Sequence, residues 1–364
     1  MPGPVGEAID AAALRRRLLE LVAVYSPSGR EEELCGALRN QLCAVGIAAD
    51  IEPVEGSRGN LVVRPGTAEV ELLLLGHLDT VTASDPDQCQ PVEDGDRIHG
   101  LGTADMKGGC AALIEAFAAW YGATDGDGPV MLALVVGEEE NGDGTSALLE
   151  TCRPGAAIVA EPTGLRPCLA HYGYVEIRLG TVGVRRHAAE ASRDRNAVFG
   201  MLRVLEALTR MFDAAHADLV FNIRDLQSST AGFAVPDRCD AWIDLHLPPG
   251  MAPAPLVDKV EQAAREAGAG TVEFPTLAPG YRVPDAHPLP AVLRQAFAAR
   301  KHAWTPDVFR SHSDANLLWQ AGCPAVVLGP GLLANAHTVD EWVDFRQVEA
   351  AANLYAETLA RWTA

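Results

Sequence analysis

The sequence has few basic residues: 29 Lys and Arg stand against 49 Asp and Glu, for a formal net charge of −20. Because phosphate binding needs clustered Lys and Arg, this balance argues against a nucleic-acid partner. No apolar stretch approaches the roughly 20 residues of a membrane helix, and the N-terminus lacks the pattern of a signal peptide. The eight cysteines include no C-x-x-C pair. They are typical of reduced thiols, and we expect a cytoplasmic protein with no membrane partner.

The length of 364 residues predicts two domains. Residues 1–166 alternate buried strands with helices, which indicates a layered α/β domain, and the same pattern returns over residues 280–364. Residues 167–279 contain period-2 stretches and two helices, as in an α+β domain with an antiparallel sheet. The sequence therefore predicts an α/β catalytic domain with a mixed sheet, formed by residues 1–166 and 280–364, into which a domain at 167–279 is inserted.

Five segments carry the residues suited to chemistry. They are LLLLGHLDTV (72–81), GTADMKGG (102–109), VVGEEENG (135–142), VAEPTG (159–164) and ANAHTVDE (334–341). Each begins as or follows an apolar run and ends in a turn rich in Gly, Asp or Glu. Taken alone, Asp105 reads as a helix N-cap and residues 138–140 as a solvated acidic turn. Because strand ends converge at one edge of a sheet, the five segments together predict a site for two divalent metal ions.

Imidazole and carboxylate ligands without cysteine suit zinc, or else cobalt or manganese. Two ions ~3.5–4 Å apart need a bridging carboxylate, which we predict to be Asp105. The other predicted ligands are His77 and Glu161 for one ion, and Glu139 and His337 for the other.

Two further acids have predicted roles in catalysis. Asp79 lies two residues after His77, and we expect it to hold the ring of a metal-bound histidine. Glu138 points away from Glu139 if the chain is extended there. It is then placed to take a proton from a metal-bound water and pass it to the leaving amine.

The motifs G-H-L-D-T-V, G-T-A-D-M-K-G, G-E-E-E, A-E-P-T and A-H-T-V-D-E resemble those of the acetylornithine deacetylase / succinyl-diaminopimelate desuccinylase family of dinuclear zinc metallopeptidases. Aminoacylases and glutamate carboxypeptidases belong to the same family, and the resemblance covers nearly the whole chain. It implies hydrolysis of N-acyl or peptide amides of amino acids with two zinc or cobalt ions. It also implies the same ligands and the same roles for Glu138 and Asp79, and a cis peptide after Asp105.

By this resemblance the insert is a ferredoxin-like lid or dimerisation domain, and a homodimer is expected. Its G-x-x-x-H turn implies that His187 stabilises the oxyanion in a neighbouring subunit. Phe233 and His246 depart from the pattern, since many relatives have Asn and Arg in these elements. Because His cannot provide the bidentate fork of Arg, recognition of a substrate carboxylate is shifted or weaker here. Arg282, like Arg185 or Arg186, is a candidate substitute, and Ser313 lies in a turn that resembles the family's substrate-facing turn.

We therefore expect an amidohydrolase that removes the acyl group of a small N-acyl amino acid by attack of metal-bound hydroxide. Compounds similar to N-acetylornithine are the first expected substrates. Alternatives within the class are a succinyl-diaminopimelate desuccinylase, an enzyme that releases lysine or ornithine from an acidic carrier protein, and a glutamate carboxypeptidase-like peptidase that cleaves dipeptides. A mononuclear aminopeptidase and a silent relative that only binds a ligand are the competing hypotheses, and metal content and loss of activity in Glu138→Gln distinguish them.

Overall fold

The computed structural model describes residues 9–66, 69–215, 217–230 and 232–363. The first eight residues, which enter the expectation about a signal peptide, lie outside the described residues, as does Ala231 in the turn before Phe233.

The helices are α1 Ala11–Ala23, α2 Glu32–Ala44, α3 Gly108–Thr124, α4 Asp143–Thr151, α5 Ala197–Ala215, α6 Pro253–Glu266, α7 Pro288–Ala299, α8 Asp314–Gln320 and α9 Phe345–Trp362. The strands of the first half are β1 Asp50–Pro53, β2 Gly59–Val63, β3 Leu72–His77, β4 Val92–Asp94, β5 Arg97–His99, β6 Val130–Val135, β7 Ala156–Val159 and β8 Cys168–His171. Those of the second half are β9 Gly173–Val182, β10 Val220–Ser228, β11 Arg238–Leu247, β12 Thr271–Glu273, β13 Leu277–Ala278, β14 Tyr281–Arg282, β15 Asp307–Phe309, β16 Ala325–Val327 and β17 Trp342–Asp344.

The chain divides into two compact units. The first comprises Met1–Leu169, Val283–Phe309 and Ser313–Ala364, and the second comprises Ala170–Arg282 and Arg310–His312. The boundaries predicted at 167 and 279 lie three residues before those at 170 and 282. Residues 310–312 also belong to the second unit, whereas they were predicted to lie in the first.

The first unit is built on a sheet with the strand order β1-β2-β6-β3-β7-β16. Strand β3 pairs in parallel with β6 and β7, and β7 with β16, whereas β1, β2 and β6 pair antiparallel. Every residue of β3 and β6 is buried, as expected for continuous apolar runs covered on both faces. Helix α3 contacts β3 and β6, and α9 packs against α3. This mixed sheet confirms the predicted α/β class.

The second unit is an antiparallel sheet covered by two helices. Its strand order is β10-β11-β9-β12, with β13 also paired to β9. Alternate residues of β11 are buried, as the period-2 pattern predicts. These buried residues form one apolar core with α5 and α6, whose members include Ile243, Leu245, Leu208 and Val260.

Some elements carry too weak a signal to be predicted. Strands β17, β5 and β4 form a separate small sheet, and each has only three residues, too few to show a period. Residues 24–31, which include the Ser-Pro-Ser-Gly sequence at 26–29, separate α1 from α2. Among the described helices, none combines the length and the apolar character needed to cross a bilayer.

Candidate metal centre

Three parallel strands bring predicted ligands to one edge of the first unit's sheet. His77 is the last residue of β3 and lies beside Val135, the last residue of β6, in the strand register. Glu138 and Glu139 follow β6 in a turn, and Glu161 follows β7 by two residues. Because the carboxyl ends of neighbouring parallel strands meet at the same edge, residues distant in sequence become neighbours here.

Asp105 reaches this edge from an irregular turn, Thr103–Lys107, which leads into α3. The peptide bond between Asp105 and Met106 is cis, as the family resemblance implies. Asp105 is buried, and the residue at the N-cap position of α3 is Lys107, whose side chain makes no capping hydrogen bond. The alternative interpretation of Asp105 as a helix cap is therefore wrong.

The predicted ligand atoms form groups that share Asp105. One group contains His77, Asp105 and Glu161, and another contains Asp105, Glu139 and His337, with the ligand atoms of each group all within 4.8 Å of one another. His77 Nε2 lies 3.2 Å from Asp105 Oδ1 and 3.8 Å from Glu161 Oε1. His337 Nε2 lies 3.5 Å from Asp105 Oδ2 and 2.9 Å from Glu139 Oε2. The two oxygens of Asp105 thus face two different histidines, as a bridging carboxylate requires.

Glu138 lies against the same centre, with its Oε2 atom 3.9 Å from His77 Nε2. His77, Glu138 and Glu139 form a further group whose ligand atoms lie within 4.8 Å of one another. The expectation that the two glutamates follow an extended chain is wrong, because residues 138–141 form a turn.

The electrostatics of these residues fit a cation. Burial raises the pKa of Glu138 and of Glu161 well above the usual value, because a buried carboxylate loses its hydration. The hydrogen bond to Glu139 raises the pKa of His337 to about 9. Among the described residues, the ion pairs of these carboxylates are with histidines. A set of buried oxygen and imidazole donors with this excess of negative charge suits divalent ions such as zinc, cobalt or manganese.

The Asp79 carboxylate has different partners from those predicted. It accepts hydrogen bonds from the backbone N–H groups of Glu138 at 3.1 Å and Glu139 at 3.0 Å, and from the Ser28 hydroxyl at 2.7 Å. The His77 ring approaches Asp79 mainly at its backbone: Nδ1 lies 3.0 Å from the carbonyl oxygen and 3.6 Å from Oδ1. The ring tautomer is therefore held by a carbonyl, and the carboxylate holds the turn that carries Glu138 and Glu139.

Arg58 also supports this turn, a role that was not predicted from the sequence. Its guanidinium contacts Glu31 at 2.9 Å and Asp143 at 2.6 Å. Gly137 begins the turn with φ +73°, and a Cβ atom there would lie 1.9 Å from Asp143 Oδ1. Only glycine fits this position. The sequence gives no periodic signal for such an ion pair, because its members lie far apart along the chain.

Four further residues were predicted to act in substrate binding or catalysis, and each is described by its own contacts. Ser313 caps α8, where its hydroxyl accepts the backbone N–H of Ala315. In the second unit, His246 packs against Tyr174 with ring centroids 5.4 Å apart, and Arg282 ends β14 with an exposed side chain. His187 is exposed, and its backbone pairs with Ala234 in the turn that follows Phe233.

Comparisons place this geometry among known proteins. A family model described as Peptidase family M20/M25/M40 matches residues 73–361. An acetylornithine deacetylase of Salmonella arizonae is 28% identical over 339 residues, which are 86% of this chain and 87% of that protein. A tripeptidase structure from Staphylococcus aureus has a TM-score of 0.78 at 21% identity and covers 97% of this chain and 99% of its own. A dinuclear metal-binding peptidase of the M20 family from Bacillus subtilis has a TM-score of 0.66 at 14% identity and covers 97% and 98%.

Proposed function

The chain belongs to peptidase family M20/M25/M40 and is a metal-dependent hydrolase of amide bonds, and on that premise we propose that it removes the acyl group from a small N-acyl amino acid with two divalent metal ions. The observation that carries the proposal is the pair of ligand groups that share Asp105. We propose that His77 and Glu161 hold one ion, that Glu139 and His337 hold the other, and that Asp105 bridges them, with zinc as the first candidate metal.

In the proposed reaction the ions supply Lewis-acid chemistry, lowering the pKa of water and polarising the amide carbonyl. Glu138 is the general base: it takes a proton from the attacking water as the new C–O bond forms. The carbonyl carbon becomes tetrahedral, and the same carboxyl group returns the proton to the nitrogen as the C–N bond breaks. The position of Glu138 supports this role, because its carboxylate is buried beside the ligand groups, with Oε2 3.9 Å from His77 Nε2.

N-acetylornithine is the first substrate to test. The identity to acetylornithine deacetylase extends over most of both chains and supports this choice. By the family resemblance, His246 replaces an arginine that contacts the substrate carboxylate in many relatives. The N-succinyl, dipeptide and carrier-linked alternatives therefore belong in the same experiment.

The experiment loads the purified chain with Zn²⁺, Co²⁺ or Mn²⁺ and offers N-acetylornithine, other N-acetyl amino acids, N-succinyl-diaminopimelate and dipeptides. Release of free amine from an N-acetyl amino acid, with about two ions per chain, is the expected result. Two bound ions without hydrolysis of any of these amides favour a silent ligand-binding relative. Hydrolysis with one ion per chain, confined to substrates with a free amino terminus, favours a mononuclear aminopeptidase.

We further propose a homodimer formed through the second unit. Strand β10 is an edge strand of its sheet. Two of its apolar residues, Ile223 and Leu226, are each 45% exposed. An edge strand with apolar side chains is a surface that proteins normally cover. In this proposal His187 of one copy stabilises the oxyanion in the partner copy. The cytoplasmic location stays part of the proposal and is supported by the eight free cysteines.

A further inference from the structure

Glu341 is a buried carboxylate outside the proposed ligand set, 3% exposed. Its Oε1 atom accepts the backbone N–H of Ala104 at 2.9 Å and that of Asp105 at 3.1 Å. Its own carbonyl oxygen accepts the N–H of Gly100 at 3.0 Å. One residue near the C-terminus therefore holds the backbone on both sides of Gly102, at the start of the turn that presents Asp105.

The same segment supplies His337, four residues earlier. His337 Nε2 lies 3.5 Å from Asp105 Oδ2, so residues 337–341 contact Asp105 twice, at its carboxylate and at its backbone N–H. The His337 side chain is 49% exposed and its φ is +58°, whereas the His77 side chain is 1% exposed at the end of a central strand. The position of His337 relative to Asp105 thus depends on how this segment is attached. Gln88 also binds the segment, at the carbonyl oxygen of Val339, but Glu341 attaches it to the backbone of Asp105 itself.

A bridging carboxylate works only if each oxygen points at its own ion. Asp105 Oδ1 faces His77 and Oδ2 faces His337, and this orientation follows from the backbone that Glu341 holds. We propose that Glu341 is a positioning residue that sets the affinity of the metal subsite formed by Asp105, Glu139 and His337. The subsite of His77 and Glu161 depends on it less, because strands β3 and β7 fix those two residues. The inference rests on the proposed two-metal function.

The test titrates the full-length, metal-free protein with Zn²⁺ by calorimetry against a competing chelator. Three variants distinguish the effect of side-chain length from the effect of charge at position 341. Glu341→Gln keeps the length and a carbonyl oxygen able to accept both N–H groups, Glu341→Asp keeps the charge but is one methylene shorter, and Glu341→Ala removes both. Asp340→Asn is the matched control, since Asp340 is the exposed acid next to Glu341.

We expect the weaker of the two Zn²⁺ affinities to fall 10- to 100-fold in Glu341→Ala and Glu341→Asp, as seen when groups that orient metal ligands are removed. Glu341→Gln is expected to stay within a few-fold of the parent protein, and Asp340→Asn to match it. Thermal unfolding of each metal-free variant verifies that it is folded. If Glu341→Ala does not fold, the comparison of Glu341→Gln with Glu341→Asp still tests the proposal.

The proposal is overturned if Glu341→Asp keeps the Zn²⁺ affinities of the parent protein, or if Glu341→Gln loses more affinity than Glu341→Asp. Either result means that the charge of residue 341, and not the length of its side chain, sets the affinity. Failure of the proposed function gives a different result: the parent protein itself binds fewer than two ions, or binds two and hydrolyses none of the amides.

Discussion

The carboxylate of Asp79 accepts the backbone N–H of Glu138 at 3.1 Å. The neighbouring N–H of Glu139 binds the second oxygen of the same carboxylate at 3.0 Å. One fully buried acid therefore fixes two adjacent glutamates, of which one is the proposed base and the other a proposed ligand. This contact holds the turn from which both glutamates reach the metal centre, where their ligand atoms and that of His77 lie within 4.8 Å of one another.

Replacement of Asp79 by Asn is expected to lower both kcat and metal affinity. The amide keeps one acceptor oxygen but turns an NH₂ group towards the other N–H, so the turn must shift. Losses of about 10- to 100-fold are typical for groups that orient metal ligands. Steady-state kinetics and metal analysis of the dialysed protein measure the two effects. Asp94→Asn, at an exposed position of β4, is the control, and a variant with normal kcat and two tightly held ions contradicts the assignment.

Glu138→Gln is expected to abolish most hydrolysis while leaving the metals bound. The amide cannot take a proton from water, and general-base catalysis contributes about 10²- to 10⁴-fold to rate. The measurement is single-turnover hydrolysis together with metal content. Glu140→Gln provides a matched control, because Glu140 is an exposed glutamate of the same run. Equal turnover in Glu138→Gln and Glu140→Gln would show that Glu138 is not the general base.

The metal-ligand candidates that lie at the ends of strands could be predicted from the sequence. His77 and Glu161 end or follow continuous apolar runs, so their convergence could be predicted from the order of strands in a parallel sheet. The predicted fold class is confirmed for the same reason, since the buried strands and amphipathic helices repeat with clear periods.

Contacts that depend on the path of a turn could not be predicted from the sequence. The carboxylates of Asp79 and Glu341 bind backbone N–H groups, which are present at nearly every residue and leave no pattern in the sequence. Glu341 lies 236 residues from Asp105 along the chain. Strand β10 escaped a definite prediction of its bounds because nearly all of its residues are exposed and no alternation results.

Removal of His337 is expected to cost one metal ion and little stability. Its side chain is half exposed, so His337→Ala leaves no buried cavity, while the subsite of Asp105 and Glu139 loses its imidazole. His77→Ala, at a side chain 1% exposed, is expected to lower the unfolding temperature of the metal-free protein as well. Metal analysis and calorimetry of both variants provide the data. Two ions held at parent affinity in His337→Ala would contradict its place in the ligand set.

The proposed dimer predicts that charges on β10 produce monomers. The double variant Ile223→Glu with Leu226→Glu places two carboxylates on the edge strand, where apolar side chains are now exposed. Sedimentation velocity is expected to show the mass of a dimer for the parent and of a monomer for this variant. Gln227→Glu adds charge at another exposed position of the same strand and is the control. A monomeric parent protein, or a double variant that remains dimeric, refutes the interface.

His171, in the second unit, is expected to make the protein sensitive to mild acid. Its ring is fully buried, stacks on Tyr281 at 5.3 Å and has Nδ1 2.7 Å from the carbonyl oxygen of Tyr172. Burial lowers its pKa from 6.5 to about 3, and the nearby His246 and His312 act in the same direction. The folded state therefore binds fewer protons than the unfolded state between these two pH values.

The contribution of His171 to stability is complete above pH 6.5 and is lost as the pH falls towards 3, by about 1.4 kcal/mol per pH unit. His171→Phe keeps a ring against Tyr281 but cannot titrate, so its stability at pH 7 reflects only packing and the lost hydrogen bond. Between pH 7 and pH 5 the parent is expected to lose about 2 kcal/mol more than the variant in urea unfolding. His302→Asn, at an exposed histidine, should lose stability with pH as the parent does. If His171→Phe follows the parent as well, the buried ring accepts its proton without cost and the lowered pKa is wrong.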